Sequence, residues 1–113
     1  MEKSETDLLI KGIESGRMAF IGPEVVQIDL CGRCNNTCIG CWVHSPYIKD
    51  PPPDKDVILP FDRAAALVSD IASLGTKEVF LSGAGEPFLH PHIRDIIRLI
   101  KSKGMRLNII TNG

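Results

Sequence analysis

Strand-like and helix-like apolar patterns alternate between residues 25 and 110, and this order constrains the fold more than any other feature of the chain. Short apolar runs within Val25–Leu30, Lys77–Leu81 and Arg106–Ile110 predict three buried strands. Between them, apolar residues recur at three- and four-residue steps, which predicts helices at Phe61–Leu74 and Pro91–Gly104. Strands joined through helices are normally parallel, with right-handed crossovers. The order β-α-β-α-β therefore predicts an α/β fold.

Each of these helices has one apolar stripe that we expect to be buried. The stripes consist of Ala64, Leu67, Val68, Ile71 and Leu74 in the first helix and Ile93, Ile96, Ile97 and Ile100 in the second. Gly75 and Gly104 are the expected stops, and Pro91 fits the first turn of the second helix. Residues 1–24 form a predicted N-terminal extension with a short helix at Ser4–Arg17, which carries Leu8, Leu9 and Ile13 on one side.

Length and charge exclude several classes of protein. The chain has 113 residues, which suggests a single domain or less. Thirteen basic residues against 14 acidic ones give a net charge of −1, so no electrostatic argument favours nucleic acid or an anionic membrane surface. We find no signal pattern and no apolar run that could span a bilayer, and expect no membrane partner.

The four cysteines all lie between Cys31 and Cys41, which is too close together for a disulfide framework. The cluster indicates a metal site in a reducing compartment, and we expect a cytoplasmic protein. The spacing Cys34-x3-Cys38-x2-Cys41 suits three thiolates around an iron–sulfur cluster with one iron left open. Two alternatives include Cys31 as a fourth ligand: a structural zinc site in a binding module, and a closed cluster in a ferredoxin-like electron carrier.

Three unusual segments follow the three predicted strands. The cysteine run follows the first, Ser82–Pro87 follows the second, and Thr111–Gly113 follows the third. Ligands of parallel α/β folds bind at the carboxyl ends of the strands, so we expect these segments to meet on one face. Gly83 and Gly85 permit close backbone approach to a ligand. With the carboxylate of Glu86, this loop suits a small ligand that carries an ammonium group.

On these residues the chain resembles the N-terminal half of the core domain of radical S-adenosylmethionine (radical SAM) enzymes. The resemblance rests on Cys34, Cys38 and Cys41, on Gly83-Ala-Gly-Glu-Pro87, and on Thr111-Asn-Gly113, which appear in the family's order. Gly40 departs from the aromatic residue that often precedes the last cysteine, and Ala84 replaces a glycine. We expect Trp42 to offer stacking surface in compensation.

The resemblance implies a fold and a chemistry. Residues 25–113 would be a partial radical SAM core, a (β/α)6 TIM-like barrel apparently truncated after the third strand. Cys34, Cys38 and Cys41 would hold a [4Fe–4S] cluster, whose open iron binds S-adenosylmethionine. Gly83, Ala84, Gly85 and Glu86 would contact this cofactor, with Thr111 and Asn112 as further contacts.

The resemblance also implies partners and a reaction. An electron from a donor such as a flavodoxin or ferredoxin would cleave the cofactor to a 5′-deoxyadenosyl radical, which abstracts hydrogen from a substrate. Neither the substrate nor a catalytic base can be assigned from these residues.

The remaining polar residues can be explained by structural roles that involve no ligand. A plain turn explains Thr111 and Asn112 nearly as well as ligand contact does. We expect His44 to be a loop residue that forms a backbone hydrogen bond, and His90 and His92 to cap a helix or face solvent. The long connection from Trp42 to Pro60 contains Pro51-Pro-Pro53, which predicts an extended segment over the mouth of the site.

Overall fold

In a computed structural model of the protein, which describes residues 3–113, helices and strands follow one another in the predicted order. The helices are α1 (Lys3–Ser15), α2 (Phe61–Ser73) and α3 (Ile93–Ser102), and the strands are β1 (Val25–Ile28), β2 (Glu78–Leu81) and β3 (Arg106–Ile109). Residues 1 and 2, which begin the predicted N-terminal extension, lie outside the described residues. The short helix predicted at Ser4–Arg17 is present at Lys3–Ser15.

The three strands form one parallel sheet in the order β1-β2-β3. Ile28 lies opposite Leu81, and Leu81 lies opposite Ile109, so the apolar side chains of neighbouring strands are aligned on one face. The alternate side chains point to the other face, where Glu78 forms an ion pair with Arg106 at 2.9 Å. The parallel α/β architecture predicted from the sequence is confirmed.

The core lies between the sheet and the two helices that connect its strands. Its fully buried members include Val79 and Leu81 from the sheet, Ala64 and Val68 from α2, and Ile96 and Ile100 from α3. The prediction that Leu67 and Leu74 are buried is wrong, since these residues are 37% and 56% exposed. Only the strip of α2 that faces the sheet is buried, and both leucines lie beside it.

Two element boundaries differ from prediction for local reasons. β1 ends at Ile28, because the carbonyl of Leu30 accepts the N–H of Leu59 at 2.9 Å and the chain turns to pair with the long connection. α3 begins at Ile93 rather than at Pro91, because a 3-10 turn at Pro87–Leu89 precedes it. Both helices that cover the sheet end as predicted, before Gly75 and Gly104 in left-handed conformation.

α1 stands apart from this core. Its apolar residues Leu8, Leu9 and Ile13 are exposed rather than packed against the sheet. A cavity of about 820 Å³ separates it from the loops beneath the sheet, and the ion pair between Lys77 and Glu5 bridges the two parts at 3.4 Å. None of the helices within residues 3–113 has both the length and the apolar character that crossing a bilayer requires.

Candidate functional site

The three segments singled out in the sequence do lie together, because they follow the carboxyl ends of neighbouring parallel strands. One residue touches all three. The backbone N–H of Asn112 donates to Glu86 Oε2 at 2.8 Å. Its side-chain amide donates to Asn35 Oδ1 at 2.9 Å and lies 3.9 Å from Cys34 Sγ. The end of β3 is therefore tied to the loop after β2 and to the cysteine loop.

The cysteine loop carries three unpaired thiols, with Cys38 exposed and Cys34 and Cys41 half-buried. The N–H groups of His44 and Val43 point at Cys41 Sγ from 3.2 and 3.4 Å. These two hydrogen bonds lower the pKa of the Cys41 thiol, and so favour the thiolate that binds metals. The Ser45 hydroxyl donates to the carbonyl of Ile39 at 2.6 Å and so closes the turn around Cys41.

Among residues 3–113, the structure does not gather three or more Cys, His, Asp or Glu side chains closely enough to hold a metal ion. The donor set nevertheless fits an iron–sulfur cluster in its chemistry. Cys34, Cys38 and Cys41 are free thiols on one short loop, and backbone N–H groups already point at one of them.

Cys31 differs from the other three cysteines. It is 2% exposed and belongs to the hydrophobic core, where it forms an isolated antiparallel bridge with Ile58. Burial raises the pKa of this thiol, which lies 3.7 Å from the carbonyl oxygen of Arg33. A buried neutral thiol in apolar surroundings is a poor metal ligand.

Gly83 and Gly85 are required by contacts within the chain. Gly83 has φ of +146°, and a Cβ there would lie 2.2 Å from the carboxyl carbon of Asp29. A Cβ on Gly85 would lie 2.1 Å from the carbonyl oxygen of Arg33 and 2.3 Å from that of Cys31. The N–H of Glu86 also donates to the Arg33 carbonyl, at 2.8 Å. The loop after β2 thus packs directly on the backbone that leads into the cysteine loop.

Glu86 is 5% exposed, and its carboxylate is turned inward. It accepts hydrogen bonds from Thr111 Oγ1 at 2.7 Å, from the Asn112 N–H at 2.8 Å and from the Phe88 N–H at 3.1 Å. Burial raises the pKa of this carboxyl, but the three hydrogen bonds together hold the pKa below its usual range. This side chain therefore fixes the end of β3.

Asp29 is a site residue that the sequence reasoning missed. It follows β1 directly, its side chain is exposed, and its Oδ2 accepts the N–H of Ala84 at 3.1 Å. The signal was the alternation Val26-Gln-Ile-Asp-Leu30. Because Ile28 and Leu30 are buried, the side chain of Asp29 must point away from the core, beside the loop after β2.

The histidines have structural roles. His44 Nε2 lies 2.6 Å from the carbonyl of Gly32, so its predicted backbone hydrogen bond is confirmed. Of the two roles predicted for His90, capping is the one observed, since this residue bonds the N–H of His92 before α3 and is only 2% exposed. His90 Nδ1 accepts the N–H of His92 at 3.0 Å, which leaves the ring hydrogen on Nε2 to be donated to the carbonyl of Leu59 at 2.6 Å.

Comparison with known proteins supports this arrangement of loops. The sequence model of the Radical SAM superfamily matches residues 28–113, which include all three loops. The chain belongs to the radical SAM superfamily. Members of this superfamily use a [4Fe–4S] cluster and S-adenosylmethionine.

Several curated radical SAM relatives align with the chain. The Fe-coproporphyrin III synthase of Methanosarcina barkeri is 33% identical over 89 residues, which is 79% of this chain and 21% of that protein. The GTP 3′,8-cyclase of Limosilactobacillus fermentum is 35% identical over 92 residues, or 80% of this chain and 26% of that protein. The S-adenosylmethionine-dependent nucleotide dehydratase of Lacinutrix mariniflava is 31% identical over 107 residues, or 95% and 22%. The chain therefore spans about a quarter or less of these relatives' lengths.

Proposed function

We propose that this chain carries the cluster-binding and cofactor-binding loops of a radical SAM enzyme. The single observation that carries the proposal is the position of Asn112, which contacts the cysteine loop and the Glu86 carboxylate at once. This contact supports one composite site at the carboxyl ends of the three strands, in a chain that belongs to a superfamily of enzymes.

In this proposal Cys34, Cys38 and Cys41 hold the [4Fe–4S] cluster. When bound, the reduced cluster supplies the electron that cleaves S-adenosylmethionine to methionine and a 5′-deoxyadenosyl radical, which takes hydrogen from the substrate. The chain's own contribution begins at Cys41, where the N–H groups of His44 and Val43 stabilise the thiolate.

The cofactor contacts would come from the backbone of Gly83, Ala84 and Gly85. Asp29 holds the Ala84 N–H from one side, and the Arg33 carbonyl accepts the Glu86 N–H on the other, so the loop is fixed at both ends. Glu86, Thr111 and Asn112 would then support this loop through their mutual hydrogen bonds. Such a support shell keeps binding groups oriented before a ligand arrives.

We further infer that residues 25–113 are the first units of a TIM-like (β/α)6 barrel. The parallel order β1-β2-β3, with both connecting helices packed in one core, supports this arrangement. An electron donor such as a flavodoxin or ferredoxin is the partner that the chemistry requires. The free thiols favour a reducing compartment such as the cytoplasm.

Two other functions receive less support. A closed four-cysteine cluster in an electron carrier and a zinc-stabilised binding module both need Cys31 as a ligand. Cys31 is packed in the hydrophobic core, and its backbone forms a β-bridge with Ile58. Its thiol would therefore have to leave the core to bind a metal.

The direct test is electron paramagnetic resonance of anaerobically reconstituted, dithionite-reduced protein, with and without S-adenosylmethionine. We expect a [4Fe–4S]⁺ signal that shifts when the cofactor is added, because an open iron gains new ligands. A cluster signal that the cofactor leaves unchanged would contradict an open iron, and bound zinc without iron would contradict the cluster itself.

A pair of cysteine variants separates the open cluster from the closed one. Cys31→Ala should keep the iron and sulfide content of the reconstituted wild-type protein, whereas Cys41→Ala should lose most of both. Equal loss in the two variants would favour the closed four-cysteine cluster. The circular dichroism spectrum of each variant shows whether the fold survives the substitution.

A further inference from the structure

A cavity of about 420 Å³ adjoins the candidate cofactor site at the carboxyl end of β1. Asp29 and Ala84, which are joined by a hydrogen bond, form one side of it. Glu86, Thr111 and Asn112 are not among the residues that line it. The cavity therefore begins at Ala84 and extends away from the end of β3, as a compartment beside the proposed cofactor loops.

The far wall of this cavity is a segment of the long connection, residues 52–59, and it is held in place. The Val57 carbonyl accepts the N–H of Gly32 at 2.7 Å, and the Leu59 N–H donates to the Leu30 carbonyl at 2.9 Å. His90 Nε2 bonds the carbonyl of Leu59 from the other side. These contacts anchor the wall to the segment that follows β1 and to the core, so the cavity is built into the fold.

The lining combines an apolar body with charged groups. Its apolar side chains are Trp42, Val43, Pro52, Val57 and Leu59. Trp42 is 70% exposed, so the face of its indole is open to a ligand. Cavities of this volume and mixed lining are typical of small-molecule sites.

The charges in the cavity favour a cation. It is lined by two carboxylates, Asp29 and Asp54, and by one ammonium group, that of Lys55. Within residues 3–113, neither carboxylate is engaged in an ion pair. An indole face also attracts organic cations, and does so more strongly than the other aromatic side chains.

We propose that this cavity binds the substrate, and that the substrate carries a protonated amine next to an apolar or aromatic group. The apolar body would lie against Val57 and Leu59, with its ammonium group near Asp54 and the Trp42 ring. The position beside Ala84 would bring the substrate next to the cofactor. The substrate assignment rests on the proposed function, whereas the preference for amines is a property of the cavity alone.

Trp42 is the single tryptophan of the chain, so its fluorescence reports on the cavity directly. The test titrates the purified, cluster-free protein with phenethylamine, 2-phenylethanol and 3-phenylpropionate, exciting where a phenyl ring does not absorb. We expect a saturable change with the amine, at a Kd about fivefold lower than that of the neutral alcohol. Equal responses to all three probes, or no saturable response, would overturn the proposal.

Two matched variants test which charge causes the preference for phenethylamine over 2-phenylethanol. Asp54→Asn should bring the Kd of phenethylamine close to that of 2-phenylethanol. Asp50→Asn removes a charge from the same connection outside the cavity, and should retain the wild-type preference. If both variants lost the preference equally, general surface charge would explain it and the cavity would not.

Competition distinguishes a substrate compartment from the cofactor's own pocket. In protein reconstituted with the cluster, excess S-adenosylmethionine should leave the Kd of phenethylamine unchanged, because the two ligands would meet only at the edge of the cavity beside Ala84. Competitive displacement by S-adenosylmethionine would assign the cavity to the cofactor and overturn the proposal. The preference for amines is measured on the cluster-free protein, so that result is independent of the paramagnetic resonance test of the radical SAM function.

Discussion

At the scale of single residues, Glu86 should contribute more to stability than an exposed carboxylate does. Glu86→Gln replaces one acceptor oxygen with a donor amide that faces Thr111 Oγ1 or the Asn112 N–H. We expect the free energy of unfolding in urea to fall by about 1–3 kcal/mol. Glu14→Gln on the exposed surface of α1 is the control and should cost almost nothing. Equal stability of the two variants would show that the hydrogen bonds of Glu86 contribute little.

The stabilising effect of Glu86 should depend on pH. Its folded-state pKa is lower than that of an ordinary glutamate, because the three hydrogen bonds outweigh the opposing effect of burial. Such a group contributes fully above the ordinary glutamate pKa, and the contribution is lost as the pH falls through the folded value. The stability difference between the wild-type protein and Glu86→Gln should therefore shrink in acid. Urea unfolding at a series of pH values measures it, and a constant difference would refute the assignment.

Gly85 should tolerate no side chain. In Gly85→Ala the new Cβ would meet two backbone carbonyl oxygens, neither of which can rotate away as a side chain could. We expect a loss of about 2 kcal/mol in the free energy of unfolding. Gly40→Ala is the matched control in the cysteine loop, since a Cβ there meets no atom within 4 Å. Thermal denaturation of both variants provides the comparison.

The residue types of the candidate site were visible in the sequence, but the orientation of their side chains was not. The glycines at 83 and 85 were predicted to permit close approach of a ligand, and the structure shows that they also make room for Asp29 and for the backbone before Cys34. The hydrogen bonds that join Glu86 to the end of β3 were not foreseen. A local pattern cannot reveal such contacts, because they join segments about 25 to 55 residues apart in the chain.

At the scale of secondary-structure elements, His90 connects the start of α3 to the long connection. His90→Ala would leave the buried Leu59 carbonyl without its donor and open a gap in the core. We expect the free energy of unfolding to fall by about 1–3 kcal/mol. His92→Ala is a neighbouring control, because that side chain is 53% exposed, and should change stability by less than about 0.5 kcal/mol. Similar losses in both variants would argue against a specific role for His90.

Element type and order were predictable because the helices carry apolar residues at three- and four-residue steps, whereas the strands are short apolar runs. The end of β1 and the start of α3 were harder to predict. The pairing of Leu30 with Leu59 depends on where a long connection folds back, and the turn at Pro87–Leu89 depends on a side-chain bond from Glu86 to the Phe88 N–H. Both are tertiary contacts that a local pattern does not encode.

At the scale of the whole molecule, α1 should open independently of the remainder. None of residues 4–15 of this helix belongs to the hydrophobic core, and a cavity of about 820 Å³ lies between it and the loops beneath the sheet. Segments with few buried apolar contacts open at low free-energy cost. In hydrogen exchange followed by mass spectrometry, amides of α1 should therefore exchange well before those of α3. Equal protection of the two helices would show that α1 is packed more firmly than its exposure implies.

The hydrogen bonds of Asn112 should constrain which substitutions the three loops tolerate. Because one side chain and its own N–H bind both the cysteine loop and the Glu86 carboxylate, a substitution in any of these three segments changes the conditions for the other two. Residues in one hydrogen-bond network are energetically coupled, so their effects do not add. The three loops should consequently diversify in concert, while the exposed sides of α2 and α3 drift independently of them.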